Sequence, residues 1–331
     1  MSFVKFFLAL CMFLNMNPGR AARLSDALEP KSVTLSFVGD CTISTNLGTS
    51  GPGSFNWYAK NYDPTYFLEK VAPVFENDDF TVVNCETVLS DRTLTPRDKG
   101  EGTAYWFVGP SANANIFTAS GVEIACLANN HTDDFGAAGY ADTVAALKAA
   151  GLTVAEERSP VYVTHDGITV GILACGLWYG GAERELYKTL ETMCQNSDFQ
   201  IIYPHGGAEG THQVDEWRRT AFRNLIDHGA DLIVGTHSHW LQPVEEYHGG
   251  TIVYSLGNFC FGGNNYPQNR TAIYQCTIAK TPAGLIFSDE IIPCYVYTGD
   301  HNNWQPALIG SDDPNYRKIL DFMAGIISSP V

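Results

Sequence analysis

Residues 229–261 read GADLIVGTHSHWLQPVEEYHGGTIVYSLGNFCF. Two short apolar runs in this stretch, at 232–234 and 251–254, are typical of buried strands. The motif Gly-Thr-His-Ser-His follows the first run directly and places His237 and His239 two residues apart. On an extended or turning segment, such side chains converge when the backbone bends. Because ligands in open α/β folds gather beyond the carboxyl ends of strands, the stretch predicts an α/β protein with a binding site at a strand end.

Four more polar motifs follow apolar runs in the same way. The runs lie at 33–38, 80–83, 124–127 and 199–203, and each has the length of a short buried strand. The motifs that follow them are Gly39-Asp40, Asn84-Cys85-Glu86, Asn129-Asn130-His131 and Pro204-His205. We therefore expect two carboxylates, an amide and several imidazoles at one sheet edge. Mixed nitrogen and oxygen donors of this kind suit a pair of borderline divalent metal ions.

Each motif taken alone has a plainer explanation. Asp40 could cap a turn or a helix, and Glu86 could be a solvated loop acid. Asn130 could supply a left-handed turn, and His131 could be an ordinary loop histidine. The metal site is favoured because all of these independent explanations would have to hold together to dismiss it.

The motifs together carry a family resemblance. The chain resembles the bacterial capsule-synthesis proteins of the poly-γ-glutamate (CapA/PgsA-like) type, a branch of the calcineurin-like metallophosphoesterase superfamily. The matching stretches run in the family's order from about residue 33 to 263: FVGD at 37–40, VNCE at 83–86, LANNHTDDFG at 127–136, PHGGAE at 204–209, and the block at 229–261.

The resemblance implies a role for each motif residue. The implied metal ligands are Asp40, Glu86, Asn130, His205, His237 and His239, with Glu86 in place of the usual bridging aspartate. His131 would face the substrate as the catalytic residue that protonates a leaving group. The superfamily commonly has Asp-x-His in its first motif, whereas Thr42 stands at the histidine position here. The site is therefore expected to hold one or two divalent ions, with Mn, Zn or Fe as the best-suited metals.

A second set of polar residues is expected to support the ligands or to contact the substrate. Metal-binding imidazoles are usually oriented by hydrogen bonds from neighbouring side chains. The candidates are Asn84, Asp134, Glu209 and Asn258. A purely structural capping role is an equal alternative for the last three.

Composition sets the wider limits. A chain of 331 residues with 45% apolar content can bury a large core. We place one metallophosphoesterase-like domain at 32–298 and a C-terminal extension at 299–331 packed on it. The net charge is −16, and no cluster of lysine or arginine appears, which argues against nucleic acid as a partner. The acidity opposes binding of an anionic polymer unless metal ions intervene.

The N-terminal residues and the cysteines point to different compartments. Lys5 precedes an apolar run at 6–13, which is too short to span a membrane but fits a signal peptide. Residues 1–24 are therefore expected to be a signal peptide or leader of an exported or membrane-associated protein; a cytoplasmic protein is the alternative. The nine cysteines lack any CxxC pair and indicate no disulfide scaffold or zinc ribbon. Those beside apolar strands are expected to be small buried hydrophobes: Cys41, Cys85, Cys126, Cys175 and Cys276.

The remaining elements complete an α/β four-layer α-β-β-α sandwich. Periodicity and caps predict helices at 63–75, 136–150 and 214–228. Further strands are predicted at 168–174, 251–254, 272–279 and 285–297. The late strands follow each other without long helices, which indicates a largely antiparallel second sheet. The polar stretches at 48–56 and 89–103 are expected to be loops over the site edge that select the substrate.

Two classes of function fit these expectations. The first is a metal-dependent hydrolase in capsule or poly-γ-glutamate synthesis or export, with metal-activated water acting on a phosphoester or polymer linkage. The second is a non-catalytic metal-binding component of a poly-γ-glutamate synthesis or export complex. The expected partners are poly-γ-glutamate or another anionic polymer, or a phosphoester substrate, together with membrane synthase subunits.

Overall fold

The computed structural model describes residues 31–101 and 103–331, so the expected leader at 1–24 lies outside the described residues. In chain order the strands are β1 (Lys31–Cys41), β2 (Thr45–Asn46), β3 (Phe80–Cys85), β4 (Val88–Leu89), β5 (Phe107–Gly109), β6 (Ile124–Leu127), β7 (Thr153–Glu156), β8 (Val161–His165), β9 (Ile168–Gly176), β10 (Phe199–His205), β11 (Leu232–Val234), β12 (Leu241–Tyr247), β13 (Gly250–Leu256), β14 (Arg270–Thr281), β15 (Gly284–Tyr295) and β16 (Ala307–Leu308).

The helices are short and lie mainly between the strands. They are α1 (Phe55–Asn61), α2 (Ala72–Phe75), α3 (Asn115–Thr118), α4 (Gly136–Ala149), α5 (Tyr187–Asn196), α6 (Glu216–Asp227) and α7 (Pro314–Met323), with 3₁₀ turns at Pro64–Phe67, Ser111–Ala114 and Ala182–Leu186. Helices α4 and α6 confirm two of the three helix predictions.

The single helix predicted at 63–75 is wrong. The chain instead forms the 3₁₀ turn at Pro64–Phe67 and, after a break, the one-turn helix α2. Asp63 caps the first piece by accepting a hydrogen bond from the backbone N–H of Thr65. Pro73 lies in the first turn of α2 and has no N–H to continue a helix from the residues before it.

Two large mixed sheets form the centre of the molecule. The first has the order β16-β15-β14-β1-β3-β6-β7, and the second has the order β12-β13-β11-β10-β9-β8. In each sheet four neighbouring strands are parallel: β1, β3, β6 and β7 in the first, where β7 is the edge strand, and β9, β10, β11 and β13 in the second. A small third sheet joins β2, β5 and β4.

The late strands do not form a sheet of their own, so this part of the prediction is wrong. Strand β13 is buried along its whole length and lies beside β11, a position that suits a strand with both faces covered. The β14–β15 hairpin instead extends the first sheet antiparallel to β1, where Leu35 pairs with Cys276. Local sequence cannot show which of the two sheets a strand joins, because a strand in either sheet needs only an apolar run.

Alternation along the strands produces the four layers. On β10, Ile201 and Tyr203 belong to the core between the two sheets, whereas Ile202 packs with residues of α5 and α6 on the outer face. On the other side, residues of β3 and β6 pack outward against α1, α3 and α4. The predicted α/β four-layer sandwich is therefore confirmed.

The C-terminal residues contact the same sheets. Strand β16 pairs with β15, and α7 packs against β12 and β15. The domain boundaries at 298 and 299 stay a prediction. The five cysteines expected in the core are buried and free. Within the described residues, every helix is too short or too polar to cross a bilayer.

Asp78, just before β3, has a largely buried carboxyl group whose ionisation affects the stability of the fold. Its Oδ2 accepts a hydrogen bond from Thr81, and its buried Oδ1 has no partner among the described residues. Burial raises the pKa of Asp78 to about 7, although hydrogen bonds from Ser36 and Thr81 oppose the shift. The folded state therefore binds more protons than the unfolded state between about pH 4 and pH 7, and stability falls as the pH rises through this window.

We expect Asp78→Asn to raise the free energy of unfolding relative to the parent protein at pH 8, and to raise it by a smaller amount at pH 5.5, which lies midway in this window. Urea melts at both pH values measure this difference. Asp300→Asn, which alters an exposed loop carboxylate, is the matched control. A difference between Asp78→Asn and parent that does not grow with pH would contradict the argument.

Candidate metal centre

The two sheets touch at the edge where the polar motifs end their strands. The backbone N–H of Asp40 donates to the carbonyl oxygen of Gly257 at 2.9 Å, and Phe259 N–H donates to the carbonyl oxygen of Asp40 at 2.8 Å. A Cβ added to Gly39 would lie 1.9 Å from the Gly257 oxygen, so this crossing excludes a side chain. Asp40 is thereby fixed between the sheets.

Asp40, Glu86 and His205 form the centre of the cluster. All three are buried, and one ligand atom from each lies within 4.8 Å of the others. Asp40 Oδ1 is 3.7 Å from His205 Nδ1, and Glu86 Oε1 is 3.8 Å from His205 Nε2. Glu86 Oε1 has no hydrogen-bond partner among the described residues. Because an unpartnered buried carboxylate oxygen is costly, this atom and its neighbours fit a divalent cation.

Asn130 and His237 complete this half of the cluster. Asn130 Oδ1 lies 2.8 Å from His205 Nε2, and His237 Nδ1 lies 2.9 Å from the same nitrogen. The backbone N–H of His237 also donates to Asp40 Oδ2 at 3.1 Å. The amide of Asn130 and the imidazole of His237, which come from separate sequence motifs, therefore both contact His205.

His239 lies on the other side of Asp40. Its Nδ1 is 3.2 Å from Asp40 Oδ2 and 2.8 Å from Asn258 Oδ1. The structure thus brings the six predicted ligands to one edge, with Asn258 in contact with one of them. Their roles as metal ligands stay predictions.

The loop after β11 adopts a strained backbone to bring its histidines together. His237 and His239 both have positive φ, of 86° and 59°, a conformation that costs non-glycine residues about 1–3 kcal/mol. The side chain of Arg218 is completely buried beneath this loop and donates to the carbonyl oxygen of Tyr254 at 2.7 Å. A Cβ on Gly235 would lie 2.8 Å from the Arg218 guanidinium. The burial of Arg218 was not predicted, because an arginine in an amphipathic helix gives no sign of burial in the sequence.

Burial sets the protonation of the histidines. Desolvation, followed by the charges of neighbouring imidazoles, lowers the pKa of His205 well below its usual value. Desolvation also lowers the pKa of His237 to about 4. Both imidazoles are therefore neutral at pH 7, which is the form that binds metal. For His239, burial opposes protonation, but the hydrogen bond to Asp40 and the charge of Glu86 raise its pKa to about 10.

The carboxylate of Asp40 opposes the ionisation of Glu86. Burial and the charge of Asp40 raise the pKa of Glu86 well above the usual value of a glutamate. A divalent cation is often the largest local charge in such a site and favours the ionised carboxylate. The electrostatics of Asp40 and Glu86 therefore fit a metal ion as well as their geometry does.

Amide and hydroxyl groups support the ligands. Asn84 Nδ2 donates to Asp40 Oδ1 at 2.8 Å and to Glu86 Oε2 at 3.3 Å. Asn129 Nδ2 in turn donates to Asn84 Oδ1 at 2.9 Å. The hydroxyl of Thr236 lies 2.8 Å from His205 Nδ1. The supporting roles of Asn129 and Thr236 were not predicted, although both residues stand directly beside predicted ligands in their motifs.

His131 lies next to the cluster and faces Glu86. Its Nδ1 is 2.8 Å from Asp134 Oδ2, and its Nε2 is 3.8 Å from Glu86 Oε1. Asp134 also forms an ion pair with Lys99. Lys99 was missed, because the polar loop that carries it has no motif. Glu209 reaches the cluster from the solvent side, with Oε1 3.7 Å from His237 Nε2.

Fold and site together define an α/β sandwich protein with a candidate divalent-metal centre at its strand ends. The family model described as "Bacterial capsule synthesis protein PGA_cap" matches residues 34–263, and the chain belongs to this family. It is 27% identical to the capsule biosynthesis protein CapA of Bacillus anthracis over 302 residues, which are 82% of this chain and 69% of that protein.

Two further relatives extend this likeness. The chain is 28% identical to the PGA biosynthesis protein CapA of Bacillus subtilis (strain 168), over 76% of this chain and 70% of that protein. It is 26% identical to the probable polyglutamine synthesis accessory protein Rv0574c of Mycobacterium tuberculosis (strain ATCC 25618 / H37Rv), over 56% of this chain and 58% of that protein. These names describe the relatives, and this chain shares their family.

We expect the double substitution His205→Ala and His237→Ala to strip metal from the protein, because it removes two nitrogen donors from the cluster. Elemental analysis of purified protein after incubation with Mn, Zn or Fe measures the loss. His228→Ala changes an exposed histidine of a helix end and serves as the control. Unchanged metal content in the double variant would show that the cluster is not a metal site.

The altered first motif gives a second expectation. Thr42 is buried and lies in the wall of a cavity beside the cluster. Imidazole binds these ions more strongly than a neutral hydroxyl, so Thr42→His should raise metal affinity or stoichiometry. Titration calorimetry compares this variant with the parent and with Thr49→His, an exposed residue of the same cavity. Equal values for all three proteins would mean that another group already completes the site.

Proposed function

We propose that this protein is a metal-dependent hydrolase of capsule or poly-γ-glutamate synthesis or export, acting on a phosphoester or a polymer linkage. The observation that carries the proposal is the buried Oε1 of Glu86, which has no hydrogen-bond partner at residues 31–101 and 103–331 and faces a neutral imidazole of His205. A polar cluster that needs a cation, with an acid–base residue beside it, is typical of a catalytic centre.

Six side chains would hold the metal: Asp40, Glu86, Asn130, His205, His237 and His239. Mn, Zn and Fe are the candidate metals, as one or two ions. A bound ion of this kind activates water for attack and polarises a phosphoryl oxygen. The chain's own residues supply the positions of the donors, and burial holds two of the imidazoles neutral.

His131 is proposed as the proton donor. Asp134 holds its Nδ1, so the Nε2 edge faces the cluster. In phosphoester hydrolysis, the water oxygen bonds to phosphorus and gives up one proton to solvent, the bond from phosphorus to the leaving oxygen breaks, and that oxygen takes a proton from an acid. Protonated His131 can give this proton from Nε2, while the contact of Nδ1 with Asp134 keeps the ring in this orientation.

The second candidate is a non-catalytic metal-binding component of a poly-γ-glutamate synthesis or export complex. Two observations favour it: Thr42 stands where the superfamily commonly has a histidine, and one relative is named a synthesis accessory protein. In this role the fold would serve as a binding platform for an anionic polymer and for membrane synthase subunits. In either role we propose export to the extracytoplasmic side, with a cytoplasmic protein as the alternative; nucleic acid is not a proposed partner.

We expect His131→Ala to lower turnover about 10²- to 10⁴-fold, which is the usual contribution of positioned acid–base catalysis, while metal content stays the same. The assay uses 4-nitrophenyl phosphate, bis(4-nitrophenyl) phosphate and poly-γ-glutamate with added Mn. Asn130→Ala should lower both turnover and metal content, because the amide oxygen contacts His205.

The outcome separates the two candidates. His228→Ala is again the control, since it removes a histidine far from the cluster. Turnover that is equal in His131→Ala and parent would exclude His131 as proton donor. Failure of metal-loaded parent protein to turn over any of the three compounds would favour the binding platform.

A further inference from the structure

A cavity of about 930 Å³ opens beside the metal centre. Its volume is in the range of small-molecule sites, about 300–1,000 Å³. Asn130, His131 and His239 line it at the metal centre, and Thr49 and Tyr105 line it where the side chains are exposed. We call this cavity the side groove. A substrate bound at the metal centre would extend into it.

One wall of the side groove is aromatic. Tyr105 is 52% exposed and lies parallel to Phe107, with ring centroids 6.2 Å apart. Phe107 contacts Phe261 at 5.8 Å and His131 at 4.5 Å, and Phe261 lies 4.9 Å from His239. The aromatic rings therefore form a row from the exposed Tyr105 to the predicted catalytic histidine.

The rest of the lining is rich in uncharged polar groups. Hydroxyl and amide side chains contribute Ser44, Thr45, Asn46, Thr49, Ser50 and Asn264. Groups of this kind both donate and accept hydrogen bonds. Thr49 and Ser50 are exposed, so their hydroxyls are accessible to a ligand.

The side groove lacks the charges that a polyanion needs. Among the described residues that line it, Lys99 is the only lysine or arginine, and it is engaged in an ion pair with Asp134. Glu209 adds a negative charge to the lining, and the whole chain carries −16. His239, which also lines the side groove and has a pKa raised to about 10, is likewise paired with a carboxylate, that of Asp40. A ligand carboxylate placed against this wall would therefore lose water without gaining an unpaired cationic partner, which is unfavourable.

We propose that the side groove binds an uncharged saccharide that is joined to a phosphoester at the metal centre. A pyranose ring has apolar C–H faces that can lie on aromatic rings, and hydroxyl edges that match serine, threonine and asparagine. The position of the phosphoester rests on the proposed function, whereas the saccharide contacts rest on the side groove alone. A polyglutamate chain is the competing occupant.

Binding of short probes tests the proposal on the full chain. The neutral probes are chitotetraose, cellotetraose, maltotetraose and mannotetraose, and the anionic probe is γ-linked tetraglutamate, each followed by titration calorimetry. We expect at least one neutral tetrasaccharide to bind more tightly than tetraglutamate. Tyr105→Ala should weaken that binding about 2- to 10-fold, the loss of one aromatic contact. Tyr162→Ala, which removes an exposed tyrosine on β8 outside the side groove, should leave it unchanged.

A charge-introducing variant provides the reverse experiment. The double substitution Thr49→Lys and Ser50→Lys places two cations on exposed positions of the lining, and we expect it to raise the affinity for tetraglutamate. The proposal is overturned if the parent protein binds tetraglutamate more tightly than every tetrasaccharide, or if no tetrasaccharide binds. It is also overturned if Tyr105→Ala and Tyr162→Ala behave alike.

The same titrations distinguish this inference from the proposed function. In the His205→Ala, His237→Ala variant, neither altered residue lines the side groove, so tetrasaccharide binding should persist. Loss of turnover or metal with intact saccharide binding would contradict only the hydrolase. Turnover of simple phosphoesters without saccharide binding would contradict only the side groove.

Discussion

The backbone crossing between Gly39-Asp40 and Gly257 is the constraint on which the site depends. Stacked sheets normally lie about 10 Å apart, but here a direct hydrogen bond of 2.9 Å joins them. Gly39 permits the approach because a side chain would clash, and Gly257 adopts a φ of 72° that favours glycine. As a result, Asp40 from the first sheet meets His239 and Asn258 from the second. The ligands of both sheets can share a target only because the gap closes at this point.

Burial then makes the cluster electrostatically incomplete. The carboxylates of Asp40 and Glu86 are enclosed by protein together with His205 and His237, two imidazoles whose pKa is lowered. Glu86 also has an oxygen without a hydrogen-bond partner in the described part of the chain. The charged Arg218 side chain lies behind the His237 loop, and desolvation lowers its pKa to about 10. Unsatisfied polar groups cost stability, so the fold holds these groups in place through packing elsewhere. A cation would satisfy the donors without rearranging the strands.

Sequence patterns predicted which motifs meet at the sheet edge, but they did not predict all of the connections between strands. Motifs such as the one ending in His205 were predictable because parallel strands deliver their carboxyl ends to a common edge. The sheet to which β13 and the β14–β15 hairpin belong was not predictable. It depends on pairing with strands that are far away in the sequence. Lys99 and Arg218 escaped detection for the same reason. Their contacts are made by tertiary structure, and no local spacing records them.

Asp134 connects the two regions that a substrate would touch. Its carboxylate contacts His131 Nδ1 and accepts a hydrogen bond from the backbone N–H of Phe107, both through Oδ2 at 2.8 Å. The carbonyl oxygen of Asp134 accepts from Arg97 N–H at 2.7 Å, which ties down the loop that leads to the aromatic wall. Asp134 therefore orients His131, the proposed proton donor, and also holds the backbone of Phe107 in the aromatic wall of the side groove. A ligand that shifts Phe107 acts on His131 through this carboxylate and through the direct contact of the two rings, whose centroids are 4.5 Å apart. Recognition of the substrate and placement of its proton donor are therefore structurally coupled.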